Sequence, residues 1–271
     1  GVINLDTLAV DGTIALVTHN NGAATVVNDA GLNFAASTVG GALSATATTG
    51  NMTQSGALDI EGTTTLVTTA QLATIDLATN GSGNAFTSEL LITTNDNSSP
   101  YDTAHVSVDG GTTNLIIGTS TIDGDLTLLS GGTITDTDGS TVTVKGTLTA
   151  TTDASASVIT LNDLAVTGAF TLDPDGTGAV TIVNDVNLNL AASTMGGTFS
   201  GTATTGDISD SGNLAITGAA TFITTAAGRS IILDQPGSVF TSTVTMQAGN
   251  GSALFGNITF VDSADVRLHS S

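Results

Sequence analysis

Apolar and polar residues alternate with a period of two over much of the chain. The clearest runs are 141–149 and 164–172. In the first run, Val142, Val144 and Leu148 are separated by hydroxyl-bearing or charged residues. Such alternation is typical of strands with one buried face. We therefore expect these three side chains to point inward, and strands to provide nearly all of the regular structure.

Clusters of Gly, Asn and Asp separate the alternating runs. They include residues 80–84, 136–140 and 173–178. These residue types accept positive φ angles and form local hydrogen bonds, so the clusters predict turns.

The chain repeats itself at an offset of 156 residues. Segment 27–70 returns as 183–226 with more than half of its positions identical, and Leu5 and Gly12 recur as Leu161 and Gly168. The sequence therefore predicts a repeat unit at 1–156 and an incomplete second unit at 157–271.

A shorter spacing is present inside the unit. Gly124, Gly146 and Gly168 follow one another at intervals of 22 residues. Repeats of this size are typical of β-helices. About seven coils of roughly 22 residues would fill one unit.

Three all-β architectures compete for this pattern: a solenoid, a string of sandwich domains and an antiparallel barrel. Sandwich domains should repeat only at domain length, with no shorter repeat inside each domain. The hairpins of an antiparallel barrel should show frequent two-residue loops at even spacing. We therefore predict an all-β fold, a right-handed parallel β-helix that runs as one continuous β-solenoid through 1–271. The right hand follows from the strong preference of parallel crossovers.

The charge balance excludes several functions. The 271 residues include 24 acidic and three basic residues, which gives a formal net charge of -21. Binding of nucleic acid or of an anionic membrane surface requires basic patches, so both are excluded as partners. The absence of Cys excludes disulfides and thiolate sites. No apolar run reaches the length of a transmembrane segment.

Segment 35–66 and its second copy resemble the repeats of filamentous-haemagglutinin-like exoproteins of the two-partner secretion type. The resemblance implies a parallel β-helix that is exported and works as an adhesin, filament or matrix component. It also implies an extracellular or cell-surface location, in a bacterium or archaeon. Since residues 1–10 lack a signal-peptide pattern, we expect any export signal to lie upstream.

Enzymes also use parallel β-helices, and their sites combine clustered carboxylates with a basic residue. Lys145, Arg229 and Arg267 lie far apart in sequence; Arg229 corresponds to Ala73 in the other repeat copy, and Lys145 lies in the less repeated half of the unit. We predict no catalytic residue, no bound cofactor and no enzymatic activity. The histidines share no ligand spacing and are expected to be solvated: His19, His105 and His269.

Calcium is the candidate ion, although no metal site is assigned. Asp136 and Asp138, and likewise Asp173 and Asp175, stand in short oxygen-rich segments that could present carboxylates to a hard cation. The alternative is that Asp simply favours turns.

Threonine pairs in TxT spacing suggest a further alternative, because flat Thr arrays on a solenoid can bind ice. Threonine is also an ordinary solvent-facing strand residue. The pairs are Thr133 and Thr135, Thr147 and Thr149, and Thr241 and Thr243.

The sequence thus predicts a structural component of an extracellular filament, sheath or surface layer: a stiff rod, with adhesion to cell-surface or matrix glycans as an additional role. Ice binding and a polysaccharide-acting enzyme are the alternatives. Because an uncapped solenoid end exposes a strand edge, we expect head-to-tail self-association or continuation in a longer chain.

Overall fold

The computed structural model describes residues 1–96, 103–249, 255–264 and 267–269. The chain forms two compact units, Gly1–Gly146 and Thr147–Ser271. Strands make up nearly all regular structure in both, as the alternation predicts. Within the described ranges, helix is limited to the single 3₁₀ turn Gly81–Gly83, which lies in one of the predicted turn clusters.

The strands of unit 1 are β1 Ile3–Leu8, β2 Thr13–Ile14, β3 Ala24–Asn28, β4 Leu32–Phe34, β5 Ser37–Val39, β6 Leu43–Ala47, β7 Met52–Gln54, β8 Leu58–Ile60, β9 Thr64–Gln71, β10 Ile75–Leu77, β11 Ala85–Phe86, β12 Glu89–Asn95, β13 Val106–Asp109, β14 Leu115–Ile117, β15 Ser120–Ile122, β16 Leu126–Ser130, β17 Ile134–Asp136 and β18 Val142–Val144.

The strands of unit 2 are β19 Leu148–Thr152, β20 Ile159–Val166, β21 Ala169–Pro174, β22 Val180–Asn184, β23 Leu188–Leu190, β24 Ser193–Met195, β25 Phe199–Ala203, β26 Ile208–Asp210, β27 Leu214–Ile216, β28 Ala220–Thr224, β29 Ile231–Leu233, β30 Val239–Phe240, β31 Thr243–Ala248, β32 Ile258–Phe260 and β33 Arg267–His269.

Unit 1 is a parallel β-solenoid with three sheets along its sides. The first sheet has the order β1-β3-β6-β9-β12-β14-β17, the second β2-β4-β7-β10-β13-β16, and a short third β11-β8-β5. Successive coils pair in parallel: Ile3 with Ala24, Ala24 with Leu43, and Leu43 with Thr64. The spacing is therefore close to 21 residues, slightly below the predicted 22.

Unit 2 has the same architecture. Its sheets have the orders β20-β22-β25-β28-β31-β33, β19-β21-β23-β26-β29-β32 and β24-β27-β30. Val180 pairs with Phe199 and Phe199 with Ala220, again in parallel. The predicted all-β parallel solenoid is confirmed. Its right hand and its continuity through 1–271 stay predictions.

The core consists of the inward residues of successive coils. Val142, Val144 and Leu148 are buried, as the alternation predicts. In unit 2, stacked Phe rings contribute: the centroids of Phe199 and Phe222 lie 5.2 Å apart, and those of Phe222 and Phe240 lie 6.2 Å apart. Stacked coils give each ring neighbours from the coils on either side, which makes a thin core continuous within the unit.

The alternating runs differ from the prediction in one respect: each is two strands rather than one. Run 164–172 ends one strand at Val166 and begins the next at Ala169. The two strands belong to different sheets, so the intervening Gly168 marks a corner of the coil. Run 141–149 is interrupted in the same way after Val144.

A buried serine recurs at a corner of the coil. Its Oγ accepts a hydrogen bond from a backbone N–H of another coil and donates to the carbonyl oxygen two residues earlier. The serines are Ser37, Ser120 and Ser193, which accept at 3.0 Å from the N–H groups of Leu16, Ile92 and Leu172 and donate to the carbonyls of Ala35, Gly118 and Ala191. Each serine thus satisfies a backbone donor that the corner removes from the strand ladder.

Two buried asparagines close another corner in the same manner. The Asn28 side chain accepts from the Val10 N–H at 2.9 Å and donates to the carbonyl of Val10 at 2.8 Å. Asn184 repeats both bonds with Val166. The side-chain amide acts here as a substitute for a paired peptide group.

A third recurrent turn contains a left-handed residue. Leu72, Ala156 and Gly228 have φ angles of 66°, 64° and 74°. Each turn begins with a buried threonine whose Oγ1 donates to the carbonyl of the residue that follows the left-handed one: Thr68 to Ala73, Thr152 to Ser157 and Thr224 to Arg229.

In unit 1 the longer strand of the coil changes from one sheet to another once. From β3 to β11, each coil has a longer strand in the first sheet followed by two shorter ones. Then two longer strands, β12 and β13, follow one another. As a result β12 pairs with the long β9 on one side and with the short β14 and β15 on the other. The longer strands thereby move to the second sheet, a shift of half a turn.

Unit 2 contains a shift of the same kind. The longer strands β21 and β22 are consecutive. β21 pairs with β19 and with the short β23, whereas β22 pairs with β20 and β25. From β22 onward the first sheet carries five-residue strands (β22, β25 and β28), and from β23 onward the second sheet carries three-residue strands (β23, β26 and β29), whereas the preceding β20 is long but has a register shift between Leu161 and Leu164.

Candidate functional site

The half-turn shift in unit 1 carries the only lysine of the chain. Its Nζ lies 2.9 Å from Oδ1 of Asp123, a carboxylate that is 7% exposed. The backbone N–H of the fully buried Asp96 donates to the other oxygen of Asp123 at 3.0 Å. Lys145 therefore supplies positive charge to Asp123, which would otherwise be expensive to bury.

Hydroxyl groups complete this cluster. Oγ1 of Thr94 accepts from the N–H of Asp123 at 2.9 Å, and Thr103 donates to Oδ2 of Asp96 at 2.7 Å. The structure thus brings two carboxylates and a lysine together, which the sequence did not predict. Both carboxylates are engaged in bonds within the protein, so the arrangement has the character of a structural ion pair.

The shift in unit 2 forms an open acidic cleft of about 610 Å³. Exposed carboxylates of Asp153, Asp173 and Asp175 line it together with the hydroxyls of Thr194 and Thr217. Asp173 stands in β21 rather than in the predicted turn, because the turn begins only at Asp175.

The other predicted carboxylate pair does not converge. Asp136 ends β17 and is buried, whereas Asp138 is exposed in the following turn. Within the described ranges, no group of three or more His, Asp or Glu side chains has the geometry to hold a metal ion. Calcium binding stays a prediction.

The remaining basic residues and the described histidine side chains are exposed. Nη1 of Arg229 is 4.0 Å from Oδ2 of Asp207, and Arg267 is exposed on β33. His19 is exposed, and so is His105, whose Nδ1 accepts the N–H of Asp125 at 3.0 Å. His269 ends β33, and its side chain lies outside the described part of the chain.

The three predicted TxT pairs do not stack on one another. Thr135 pairs with Ile116, Thr149 with Thr171, and Thr243 with Arg267.

A regular hydroxyl column is formed instead by other residues of unit 2. Its members occupy consecutive paired positions on the solvent side of the first sheet: Thr160, Thr181, Ser200, Thr221 and Thr245. The adjoining column contains Val183, Thr202, Ile223 and Gln247.

We call these nine outward residues the hydroxyl face. None of them is charged, although the chain carries a net charge of -21. Charges occur at its borders: Asp163 lies within the first strand, β20, at the register shift opposite Val183, Asp185 follows β22, and Arg267 lies on β33. The face is thus a flat, neutral surface of hydroxyl and aliphatic groups.

Unit 1 carries a closely matching surface. Thr25, Ser44 and Thr65 form one column, and the neighbouring column contains Val27, Thr46 and Val67. These positions lie 156 residues before their counterparts in unit 2, and every substitution between them keeps the residue uncharged.

Among the described residues, no helix is both long and apolar enough to cross a bilayer.

Three stretches of the chain match a protein-family model described as repeats of unknown function (DUF5649): residues 21–93, 103–173 and 177–247. No curated protein and no solved structure matches the chain. The first and third stretches begin 156 residues apart, which is the offset found by self-comparison. The predicted 156-residue unit therefore contains two repeats. Each stretch includes one of the buried serines Ser37, Ser120 and Ser193, and the half-turn shifts fall near its boundaries.

Proposed function

This chain belongs to the family of repeats of unknown function (DUF5649). We propose that it is a structural component of an extracellular filament, sheath or surface layer. The observation that carries the proposal is the parallel ladder in each unit, in which the described strands of successive coils are hydrogen-bonded to one another. Such ladders resist bending and stretching along their axis. Tandem repeats lengthen them with the same contacts between neighbouring coils.

The polar groups of the interior support a mechanical role. Ser37, Ser120 and Ser193 link neighbouring coils at corners where strands are interrupted. Asn28 and Asn184 do the same at other corners. These bonds hold the coils in register, which a load-bearing element requires.

The proposal extends to the cellular location of the protein and to an adhesive role. The likeness of segment 35–66 to filamentous-haemagglutinin-like exoproteins supports export to the cell surface and an adhesive role toward glycans. We further propose head-to-tail self-association or continuation in a longer chain, because every coil presents the next with an open strand edge.

Electron microscopy of the chain and of a version lengthened by two repeats tests the structural role. We expect thin particles that lengthen by about 4.8 Å for each added coil. Particles that stay compact as repeats are added would contradict the proposal. Cleavage of acidic polysaccharides by the wild type, but not by Lys145→Met, would favour an enzyme instead.

Ice binding is a second candidate, favoured by the column of five hydroxyls on unit 2. The adjoining column has one hydroxyl group, on Thr202, among its four members, so the structural role stands first. Thermal hysteresis of the wild-type chain, measured against the same chain with Thr202→Lys, tests this candidate.

A further inference from the structure

We propose that the hydroxyl face of unit 2 binds the same face of a second copy of this chain, so that solenoids associate side by side. This inference rests on the proposed structural function and names the partner that the face would take. It is distinct from head-to-tail stacking, which uses strand edges rather than a sheet face.

The charge distribution permits a second copy at this face but not at the acidic surfaces. Two molecules that each carry a net charge of -21 repel one another strongly. The nine residues of the hydroxyl face include no charged side chain, and the nearest carboxylates belong to Asp163, in the end strand β20, and to Asp185, just after β22. Two copies that meet through this face therefore keep their carboxylates away from the centre of the contact.

The geometry of the face also suits a second copy. Thr181, Ser200 and Thr221 repeat at the strand spacing of about 4.8 Å. A second solenoid carries the same spacing, so its columns can interdigitate with these over several coils. The mixture of Thr, Ser, Val and Ile provides both aliphatic packing and hydroxyl groups that can pair with one another.

The size of the face sets the strength of the contact. Five coils at about 4.8 Å and about five residues of strand at 3.3 Å give roughly 400 Å² per molecule. Stable complexes bury about 800 Å² on each partner. We therefore expect weak association of single chains, which becomes strong when many copies of the face act together in a longer polymer.

Cysteine cross-linking tests the proposal, because the chain has no Cys of its own. Thr202→Cys places a thiol on the hydroxyl face. Ala215→Cys is the matched control, since Ala215 is exposed on β27, on another side of the same coil. Both purified chains are treated with a short bis-maleimide at low and high salt, and covalent dimers are quantified.

We expect Thr202→Cys to give at least about fivefold more dimer than Ala215→Cys, and its yield to rise as salt screens the carboxylates. Adding Thr181→Asp to Thr202→Cys should remove the excess. Adding Thr194→Asp, on β24, to Thr202→Cys should leave the excess of dimer unchanged. Equal yields at both positions, or no dimer at either over the salt range, would overturn the proposal.

Two further outcomes separate the hypotheses. Thin single rods without cross-links at Thr202→Cys would leave the structural function standing and refute the face-to-face contact. Thermal hysteresis that Thr202→Lys abolishes, without cross-linking, would assign the face to ice and refute the second copy as its partner.

Discussion

Gly201 and Phe199 share one space in the core of unit 2: a Cβ added at Gly201 would lie 2.7 Å from Cζ of the Phe199 ring. At the corresponding positions 156 residues earlier stand Leu43 and Ala45. One copy thus combines a large residue with glycine, and the other combines a smaller one with alanine. The two pairs are alternative solutions to the same packing problem.

We predict that Gly201→Ala destabilises the protein by about 1–3 kcal/mol, because the methyl group overpacks the core against the ring. Phe199→Leu combined with Gly201→Ala should recover much of this loss, since it recreates the pair found in unit 1. Urea unfolding of the two single variants and the double variant measures the coupling. Simple additivity of the two effects would contradict the shared-space interpretation.

The buried serines should matter more than their small size suggests. Ser193→Ala leaves the Leu172 N–H without its acceptor, and we expect a loss of about 1–3 kcal/mol. Ser37→Ala and Ser120→Ala should behave alike. Ser200→Ala, on the hydroxyl face, is the matched control and should change the free energy of unfolding by less than about 0.5 kcal/mol. Equal effects at Ser193 and Ser200 would refute the role of the buried hydroxyl.

Leu72 occupies a position that favours glycine. Its φ of 66° is costly for an L-residue, and Gly228 adopts a φ of 74° at the corresponding position of the second copy. We predict that Leu72→Gly raises the free energy of unfolding by about 0.5–1 kcal/mol, whereas Gly228→Leu lowers it. Thermal melting of both variants provides the measurement. A loss of stability in Leu72→Gly would show that the exposed Leu side chain has a packing role.

Asp210 should make the protein less stable as the pH rises. Burial raises the pKa of Asp210, and nearby Asp234 acts in the same direction, against hydrogen bonds from the N–H groups of Asp234 and Gln235. With a folded pKa above the unfolded one, its stabilising contribution is present below the unfolded pKa and is lost as pH rises through the folded value. We predict that Asp210→Asn is more stable than the wild type at about pH 7, with the gain shrinking toward pH 3.

Asp76 provides the opposite case and the control. Burial acts to raise the pKa of Asp76, but hydrogen bonds from the Thr79 hydroxyl and from the N–H groups of Ala78 and Thr79 outweigh it, and the pKa is lowered. Its contribution is present above the unfolded pKa and is lost as pH falls through the folded value. Asp76→Asn should therefore destabilise the protein near neutral pH and converge with wild type in acid. The free energies of unfolding of Asp76→Asn and Asp210→Asn, measured in urea at neutral and acidic pH, test this contrast. Effects of the same sign in both variants at neutral pH would contradict it.

Much of the fold could be predicted because inward positions follow simple rules. Val142, Val144 and Leu148 are buried as the period-two alternation requires, and the glycine spacing indicated the coil. The middle repeat, residues 103–173, could not be recognised from the sequence for a physical reason. Ser120 shares with Ser37 a short Ser-Thr-apolar pattern, while most outward residues are free to vary once they face solvent.

The surface could not be predicted from local spacing. Thr160, Thr181 and Ser200 align at intervals of 21 and 19 residues, and Thr221 aligns with Thr245 at 24. Because turns differ in length, residues that stack are not those that share a fixed offset. The Lys145 and Asp123 pair is different: its partners are 22 residues apart, directly before Gly146 and Gly124, so the glycine spacing could have indicated it.

The half-turn shift makes the sheet that carries the longer strands alternate from one repeat of this chain to the next. After one repeat, the longer strands exchange sheets, and after a second repeat the original assignment returns. Loss or duplication of a single repeat would therefore give the downstream coils their longer strands in the other sheet, whereas a change by two would keep the assignment of longer strands to sheets. The segments that share high identity at an offset of 156 residues, two repeats, accordingly have their longer strands in the same sheet of each unit.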